Sequence, residues 1–174
     1  MGYGLKTGIW NGKKTLTWRM GQGTVPDNLE RAFDIWQKKI DGLTFTKSEG
    51  TAANVDFVVK SAGSQSAWSG AQKSLNLKGN ETLGAMLHEI GHLLGLSHEH
   101  DRPDNREKYY SASDRSDFDK QYGLQGAITR SENLQAYGSY DNDSIMQYPA
   151  SSYNAKSEPS AGDVTAVKAI NGWS

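Results

Sequence analysis

The sequence of 174 residues contains no cysteine. This absence excludes disulfide bonds, a catalytic thiolate and any zinc site built from cysteine, but it leaves the redox compartment open. Apolar runs are short, far below the roughly 20 residues that span a bilayer, and the first 14 residues lack the apolar core of a signal peptide. We therefore expect a soluble chain without a membrane span.

The chain also lacks a charge excess. Its 19 Lys and Arg residues balance 20 Asp and Glu residues, for a net charge of −1. Since nothing in this balance attracts a polyanion, nucleic acid is not an expected partner. The 36% of hydrophobic residues, with five Trp, suffice for a sizeable core. The length and the absence of internal repeats predict one domain over residues 1–174.

Hydrophobic patterns predict an α+β fold. In residues 15–20, Leu16, Trp18 and Met20 alternate with polar residues, which is typical of a half-buried strand. The predicted elements are strands at 15–20, 43–47, 54–60 and 73–77 and helices at 26–40, 80–94 and 163–171. Together they indicate a mixed twisted sheet with two long helices in an upper half, about 1–95. An irregular lower half, about 96–174, contains a short helical candidate at 113–122 and ends in a helix.

The four histidines occupy positions 88, 92, 98 and 100, all within thirteen residues. Scattered solvent-exposed or core histidines would not cluster in this way, so a shared role such as metal binding is favoured. His88 and His92 lie four residues apart in a predicted helix, about 40° apart around its axis, so both imidazoles can reach one ion. Gly95 lets the chain reverse, and His98 can return to the same ion.

This pattern, H-E-x-x-H-x-x-G-x-x-H, predicts a catalytic zinc site. Three nitrogen ligands leave a fourth position for water, whose pKa zinc lowers to roughly 7. Glu89 directly follows His88 and is placed to take the proton of that water, which favours a general base over a ligand. His100 leaves an alternative open: it is either a fourth ligand that closes a structural site or an exposed residue on the turn after His98.

Three further segments complete a resemblance to a known family. Residues 88–98 are the metzincin signature, and their continuation, residues 99–104, resembles the extension found in astacins. Residues 144–148, SIMQY, resemble the astacin Met-turn SIMHY, with Gln147 where a histidine is usual. Residues 69–72, followed by the strand at 73–77, resemble the astacin edge strand along the cleft. The sequence is thus similar to astacin-like metalloproteases over most of its length.

The resemblance implies roles for the metal-site residues. His88, His92 and His98 would bind one catalytic Zn²⁺, Glu89 would be the general base, and Met146 would form a hydrophobic floor under the metal. The family usually carries two disulfides, which this chain lacks, so packing must supply the stability that cross-links often provide.

It also implies roles away from the three histidines. Tyr148 would be an additional, detachable zinc ligand that moves to the transition state as an oxyanion stabiliser, and Glu99 would receive the mature N-terminus after propeptide removal. An extended peptide substrate would pair antiparallel with the edge strand. The predicted substrate-strand residues are Ala71, Gln72, Lys73, Ser74 and Leu75.

The predicted function is therefore that of a secreted, monomeric, zinc-dependent endopeptidase acting on protein or peptide substrates. Secretion rests on the family resemblance alone. Two alternatives remain open: a zinc amidase acting on cell-wall peptides, which the same metal chemistry could support, and a non-catalytic binding module stabilised by zinc. Cleavage of an unfolded protein such as casein would favour the endopeptidase, whereas a zinc site closed by four protein ligands would favour the binding module.

Overall fold

The computed structural model describes residues 2–6, 8–63, 66–99, 102, 134–147 and 153–174. These parts of the chain form a mixed sheet with helices, as the sequence predicts. The helices are α1 (Leu29–Lys39), α2 (Leu83–Leu93) and α3 (Ala161–Asn171). The strands are β1 (Tyr3–Leu5), β2 (Thr15–Gly23), β3 (Thr44–Lys47), β4 (Phe57–Ser61), β5 (Ala67–Ser69), β6 (Ser74–Leu77) and β7 (Leu134–Ala136).

The main sheet has five strands in the order β3-β2-β4-β6-β5. The first four of these run parallel, and β5 pairs antiparallel with β6. The four strands predicted from the sequence are all present, with ends that differ by up to three residues. β5 forms the outer edge of the sheet, although its sequence lies in a Gly/Ser-rich stretch that predicts an interruption.

Helix α1 forms because apolar residues recur on one face. Leu29, Ala32, Phe33 and Trp36 are buried, and Phe33 packs against the ring of Trp18 from β2 at 5.5 Å between centroids. The Trp36 indole Nε1 donates to the Leu87 carbonyl at 3.2 Å, which ties α1 to α2. This contact holds α2 in a fixed position over the sheet.

Helix α2 begins at Leu83, three residues after the predicted cap Asn80. The hydroxyl of Thr82 accepts a hydrogen bond from the backbone N–H of Ala85 at 3.1 Å and caps the helix instead. Gly79 lies just before it at φ +100°, a left-handed conformation that cannot continue into a helix. The predicted end of the helix is confirmed, since Gly95 at φ +102° turns the chain after Leu94.

Helix α3 begins two residues before the predicted Asp163. Ser160 and Asp163 form a capping box, in which the Ser160 hydroxyl binds the backbone N–H of Asp163 and the Asp163 carboxylate binds that of Ser160. Gly172 ends the helix in the left-handed conformation, as predicted. Buried apolar residues form one cluster that extends from Trp10 to Trp173.

A second, two-stranded sheet pairs β1 with β7, with Leu5 opposite Leu134. The sequence did not predict either strand, because three residues are too few to show a period. The helical candidate at 113–122 lies outside the described residues. No helix in the described ranges is both long and apolar enough to span a membrane.

Candidate active site

Helix α2 carries three of the predicted site residues on one face. His88 and Glu89 are 2% and 8% exposed, and His92 is half-buried one turn further on. The opposite face buries Met86, Leu87, Ile90 and Leu93 in the core. The helix therefore fixes the three polar side chains through the packing of its apolar face.

The structure brings His88, His92 and His98 together. One ring nitrogen from each lies within 4.8 Å of the other two. The Nδ1 atom of His88 donates to the Ile145 carbonyl, and that of His92 donates to the Leu96 carbonyl, both at 2.9 Å. Because each Nδ1 carries the proton, each Nε2 is left as the unprotonated atom that can bind a metal.

The distances among these atoms fit zinc. The Nε2 atoms of His92 and His98 are 3.1 Å apart. Two nitrogens at about 2.0 Å from a tetrahedral zinc ion are about 3.3 Å apart. Neutral imidazole nitrogens are also a donor set that zinc prefers. The three residues are thus positioned to bind the zinc ion predicted from the sequence.

The Met-turn residues contact His88 and helix α2. Met146 is 1% exposed and lies against Gly91 of α2, where an added Cβ would come within 2.6 Å of the Met146 sulfur. Gly91 therefore permits the close approach. Tyr153 stacks on the His88 ring at 4.2 Å between centroids, with 28° between the planes. The turn and Tyr153 together restrict how the His88 imidazole can rotate.

Asp163 joins this turn to helix α3, and sequence reasoning did not identify it as part of the site. Its carboxylate accepts from the Ser144 hydroxyl at 2.6 Å and from the Ile145 N–H at 2.8 Å. Burial raises the pKa of Asp163, against the hydrogen bonds that lower it. The Ser-x-x-Asp pattern signals a helix cap in the sequence, but nothing in it reveals the contact with residues 144–145.

Glu89 lies beside the three histidines in the same cavity. Its Oε2 atom is buried and has no hydrogen-bond partner among the described residues. Burial raises the pKa of Glu89 to about 8, and the negative charge of Glu81 adds to this shift while Lys78 opposes it. Glu89 therefore binds a proton more strongly than an ordinary carboxylate does, and it lies close to the candidate metal ligands.

The cavity has a volume of about 370 Å³. Its walls include Ser66, Ala67 and Trp68 on the side of the main sheet and Leu5 and Leu134 from the small sheet. An open cavity of this size beside three imidazoles and a carboxylate can admit part of a polymeric substrate.

The predicted position of the edge strand is wrong. Residues 71–73 form a turn, and Ser74 and Leu75 belong to β6, which pairs with β4 on one side and β5 on the other. Since both sides of β6 are occupied, it has no free edge. The edge is β5 (Ala67–Ser69). It could not be predicted from the sequence, because it has only three residues and Gly and Ser residues surround it.

Glu99 lies in a buried ion pair that the sequence did not predict. Its Oε1 accepts from Arg102 Nη1 and from the Asp141 N–H, both at 3.0 Å, and both charged side chains are fully buried. Burial raises the pKa of Glu99 to about 7, although Arg102 lowers it. Met1, His100 and Tyr148 lie outside the described residues, so the predicted contact of Glu99 with the N-terminus and the roles of Tyr148 and His100 stay predictions.

Comparison with known proteins agrees with this geometry. The family model described as Astacin, a family of peptidases, matches residues 9–168. Astacin-like metalloprotease toxin 4 from Loxosceles laeta is 34% identical over 89 residues, which cover 47% of this chain and 70% of that protein.

The solved structure of myroilysin is similar in fold. The match covers 99% of this chain and 100% of that chain, with a TM-score of 0.65 and 21% sequence identity. At this level of identity the similarity concerns the fold alone. The family match, in contrast, spans the three histidines, the Met-turn and most of helix α3. This chain belongs to the astacin family of peptidases, and it is accordingly a zinc metalloendopeptidase.

Proposed function

We propose that the chain cleaves extended polypeptides at the cavity between β5 and α2, with Glu89 as the group that moves the proton. The observation that carries this proposal is the convergence of three imidazoles and one carboxylate on one open cavity, with a carboxylate oxygen that accepts no bond from the described part of the chain. A structural zinc site would not require such a carboxylate or such a cavity.

His88, His92 and His98 would hold the zinc ion. Bound in this way, zinc lowers the pKa of water to about 7 and polarises a substrate carbonyl oxygen. The carbonyls of Ile145 and Leu96 orient the first two imidazoles. This preorganisation lowers the cost of assembling the site.

Glu89 would accept the proton of the attacking water and pass it to the leaving amine. Its burial supports this role, because a raised pKa brings a carboxylate closer to the range in which it both takes and returns a proton near neutrality. A nearby dication would lower that pKa. Burial therefore raises the pKa of Glu89, and a bound zinc ion would lower it.

The substrate backbone would pair with β5. Within the described residues this strand bonds to β6 on one side and to no strand on the other, and Ala67 and Trp68 line the cavity. A peptide that adds a strand to such an edge gains affinity through main-chain hydrogen bonds, whatever its side chains. Pairing with β5 would carry the peptide past Glu89 and the histidines.

Tyr148 would donate its O–H to the negative charge that develops on the attacked carbonyl oxygen. Support comes from the family resemblance of residues 144–148 and from the position of this segment in the sequence. Tyr148 directly follows Gln147, and the turn at 144–147 binds His88 through the Ile145 carbonyl. Met146, packed against α2, would form the apolar floor of the metal site.

We also propose that residues 1–174 act as one catalytic domain that is secreted and monomeric. One buried cluster from Trp10 to Trp173 supports a single domain. The similarity to a protein named as a toxin supports secretion. The monomeric state is an expectation from the sequence alone and is tested by sedimentation.

The test is hydrolysis of casein by the zinc-loaded protein. We expect cleavage at internal peptide bonds, loss of cleavage after chelation and recovery on addition of zinc. Mass spectrometry of the products would locate the bonds that are cut. Release of cell-wall peptides without any cleavage of casein would instead favour the amidase, and zinc binding without hydrolysis of either substrate would favour the binding module.

A further inference from the structure

Glu81 connects the cleft-side strand to the start of the active-site helix. It is 9% exposed, and its Oε1 accepts from the Ser66 hydroxyl at 2.5 Å and from the backbone N–H of Lys78. Its Oε2 accepts from the Gly79 N–H at 3.1 Å. Its backbone carbonyl accepts from the Asn28 side chain at 2.8 Å. One residue therefore joins the chain before β5, the turn after β6 and the start of α1.

The strand that Glu81 holds needs such an anchor. β5 has three residues, and among the described strands it pairs with β6 alone, at Ala67, Trp68 and Ser69. A strand this short, bonded on one side, opens at low cost in free energy. Ser66 directly precedes it and lines the cavity. A bond from Ser66 to a fixed partner therefore restrains the end of β5 next to the active site.

The partner of Ser66 is a charged carboxylate. Burial would raise the pKa of Glu81, but the hydrogen bonds from Ser66, Lys78 and Gly79 outweigh it and hold the pKa below its usual value. Glu81 is therefore ionised at neutral pH. Hydrogen bonds to an ionised acceptor are about twice as strong as those between neutral groups. The hydrogen bond from Ser66 to Glu81, which anchors β5, is of this stronger kind.

We propose that Glu81 is a positioning residue for substrate binding: by holding Ser66, it keeps β5 in the extended shape that a peptide backbone can pair with. This inference rests on the proposed function, in which the peptide adds to β5. Glu81 is not one of the candidate metal ligands and does not touch the reacting bond. Its hydrogen bond to Ser66 therefore contributes to peptide binding. Glu81 makes no hydrogen bond to Glu89 or to the imidazoles, but its charge raises the pKa of Glu89. Ser66→Ala breaks the bond to β5 and leaves that charge in place, so turnover and zinc affinity are judged on Ser66→Ala.

The test compares two variants that break the anchor with two controls. Ser66→Ala removes only the hydroxyl, whereas Glu81→Gln weakens all the contacts of the carboxylate. Ser66→Thr keeps a hydroxyl and is the conservative rescue. Ser48→Ala is the matched control. It removes a hydroxyl that makes one hydrogen bond, accepting from the Gly50 N–H at 3.0 Å, and Ser48 follows β3 at the opposite edge of the sheet.

Binding is measured as the dissociation constant of a fluorescent peptide in a Glu89→Gln background, so that the peptide is not cut. We expect it to rise about tenfold for Ser66→Ala and Glu81→Gln, which corresponds to about 1.4 kcal/mol. It should stay near the parent value for Ser66→Thr and Ser48→Ala. In the active enzyme, KM of Ser66→Ala should rise by a similar factor while kcat and the zinc dissociation constant stay within about twofold.

Amide hydrogen exchange of the full chain checks the physical cause. Residues 67–69 should exchange faster in Ser66→Ala than in the Ser48→Ala control, because the strand opens more often. Unchanged peptide affinity in both anchor variants, with active parent enzyme, overturns the inference. A fall in kcat or zinc affinity equal to the rise in KM in Ser66→Ala would assign the Ser66–Glu81 bond to the metal site instead. A parent protein that neither binds nor cuts peptides overturns the proposed function, and the inference with it.

Discussion

Two backbone carbonyls determine how the imidazoles of α2 can act. His88 donates its Nδ1 proton to Ile145, 57 residues away in the sequence, and His92 donates to Leu96. Each ring is held by a carbonyl that accepts from its Nδ1, so its Nε2 faces the cavity with a lone pair. The proton positions that zinc binding needs are thus set by the fold itself.

At the scale of single residues, Tyr148 allows a separation of turnover from binding. A donor that acts only on the charge of the transition state contributes to kcat and not to ground-state affinity. We expect Tyr148→Phe to lower kcat by about 10²-fold, with KM and zinc content nearly unchanged, since three histidines still hold the metal. Steady-state kinetics on a fluorogenic peptide, with metal analysis of the same sample, measures both.

A large rise in KM with unchanged kcat would make Tyr148 a residue of the substrate pocket. Loss of zinc would make it a structural ligand. Either result would contradict its proposed role as an oxyanion stabiliser.

The residues of the site differ in how visible they are in the sequence. His88, Glu89 and His92 can be predicted because their spacing is local to one helix, and His98 because it follows a glycine turn. Asp163, Arg102 and Ser66 cannot, because their roles come from contacts with distant segments. A buried Asp or Arg carries no local pattern that separates it from an exposed one.

At the scale of elements, the same limit explains which strands could be predicted. β2, with nine residues, shows a clear alternation, whereas β1, β5 and β7, with three residues each, show none. The predicted position of the edge strand, at 71–75, was wrong for this reason. It placed the edge on the next segment with a visible apolar pattern, β6, which the sheet in fact encloses.

The start of α2 gives a second test at this scale. Asn80 and Thr82 are both good helix caps by residue type, but it is Thr82 that binds a helical N–H, that of Ala85. We expect Thr82→Ala to lower the free energy of unfolding by about 1 kcal/mol. Asn80→Ala, the matched control at an exposed position, should change it by less than about 0.5 kcal/mol.

Urea unfolding of both variants, followed by circular dichroism, measures the difference. A larger loss for Asn80→Ala than for Thr82→Ala would move the start of the helix back to its predicted position and contradict the observed cap.

At the scale of the whole molecule, Arg102 joins segments that are far apart in the sequence. It donates to the Glu99 carboxylate at 3.0 Å, to the Gly2 carbonyl at 3.2 Å and to the Ser139 carbonyl at 3.1 Å. Gly138 also accepts a bond from it. The guanidinium thus links the start of the chain, the segment after His98 and the segment after β7.

Removal of this cation should destabilise the protein strongly. Arg102→Met leaves the Glu99 carboxylate buried without its partner, and we expect a loss of about 3–5 kcal/mol in the free energy of unfolding. Lys38→Met, which breaks the exposed pair with Asp34, should cost about 0.5 kcal/mol or less. Guanidinium chloride unfolding of the zinc-free variants measures both.

The double variant Glu99→Gln and Arg102→Met removes both charges. It should be more stable than Arg102→Met alone, because no unpaired buried charge remains from this pair. Equal losses for the buried and the exposed pair would contradict the structural importance of Arg102.

We assign metal binding and proton transfer to different residues of one site, and Glu89→Gln separates the two. Zinc content and hydrolysis of one peptide are measured on the same preparation of wild type and variant. We predict about one zinc per chain in both proteins and a fall in kcat of about 10²- to 10⁴-fold in the variant, since the ligands remain and the base is lost. Hydrolysis close to that of wild type with zinc retained would contradict the assignment of Glu89 as the base.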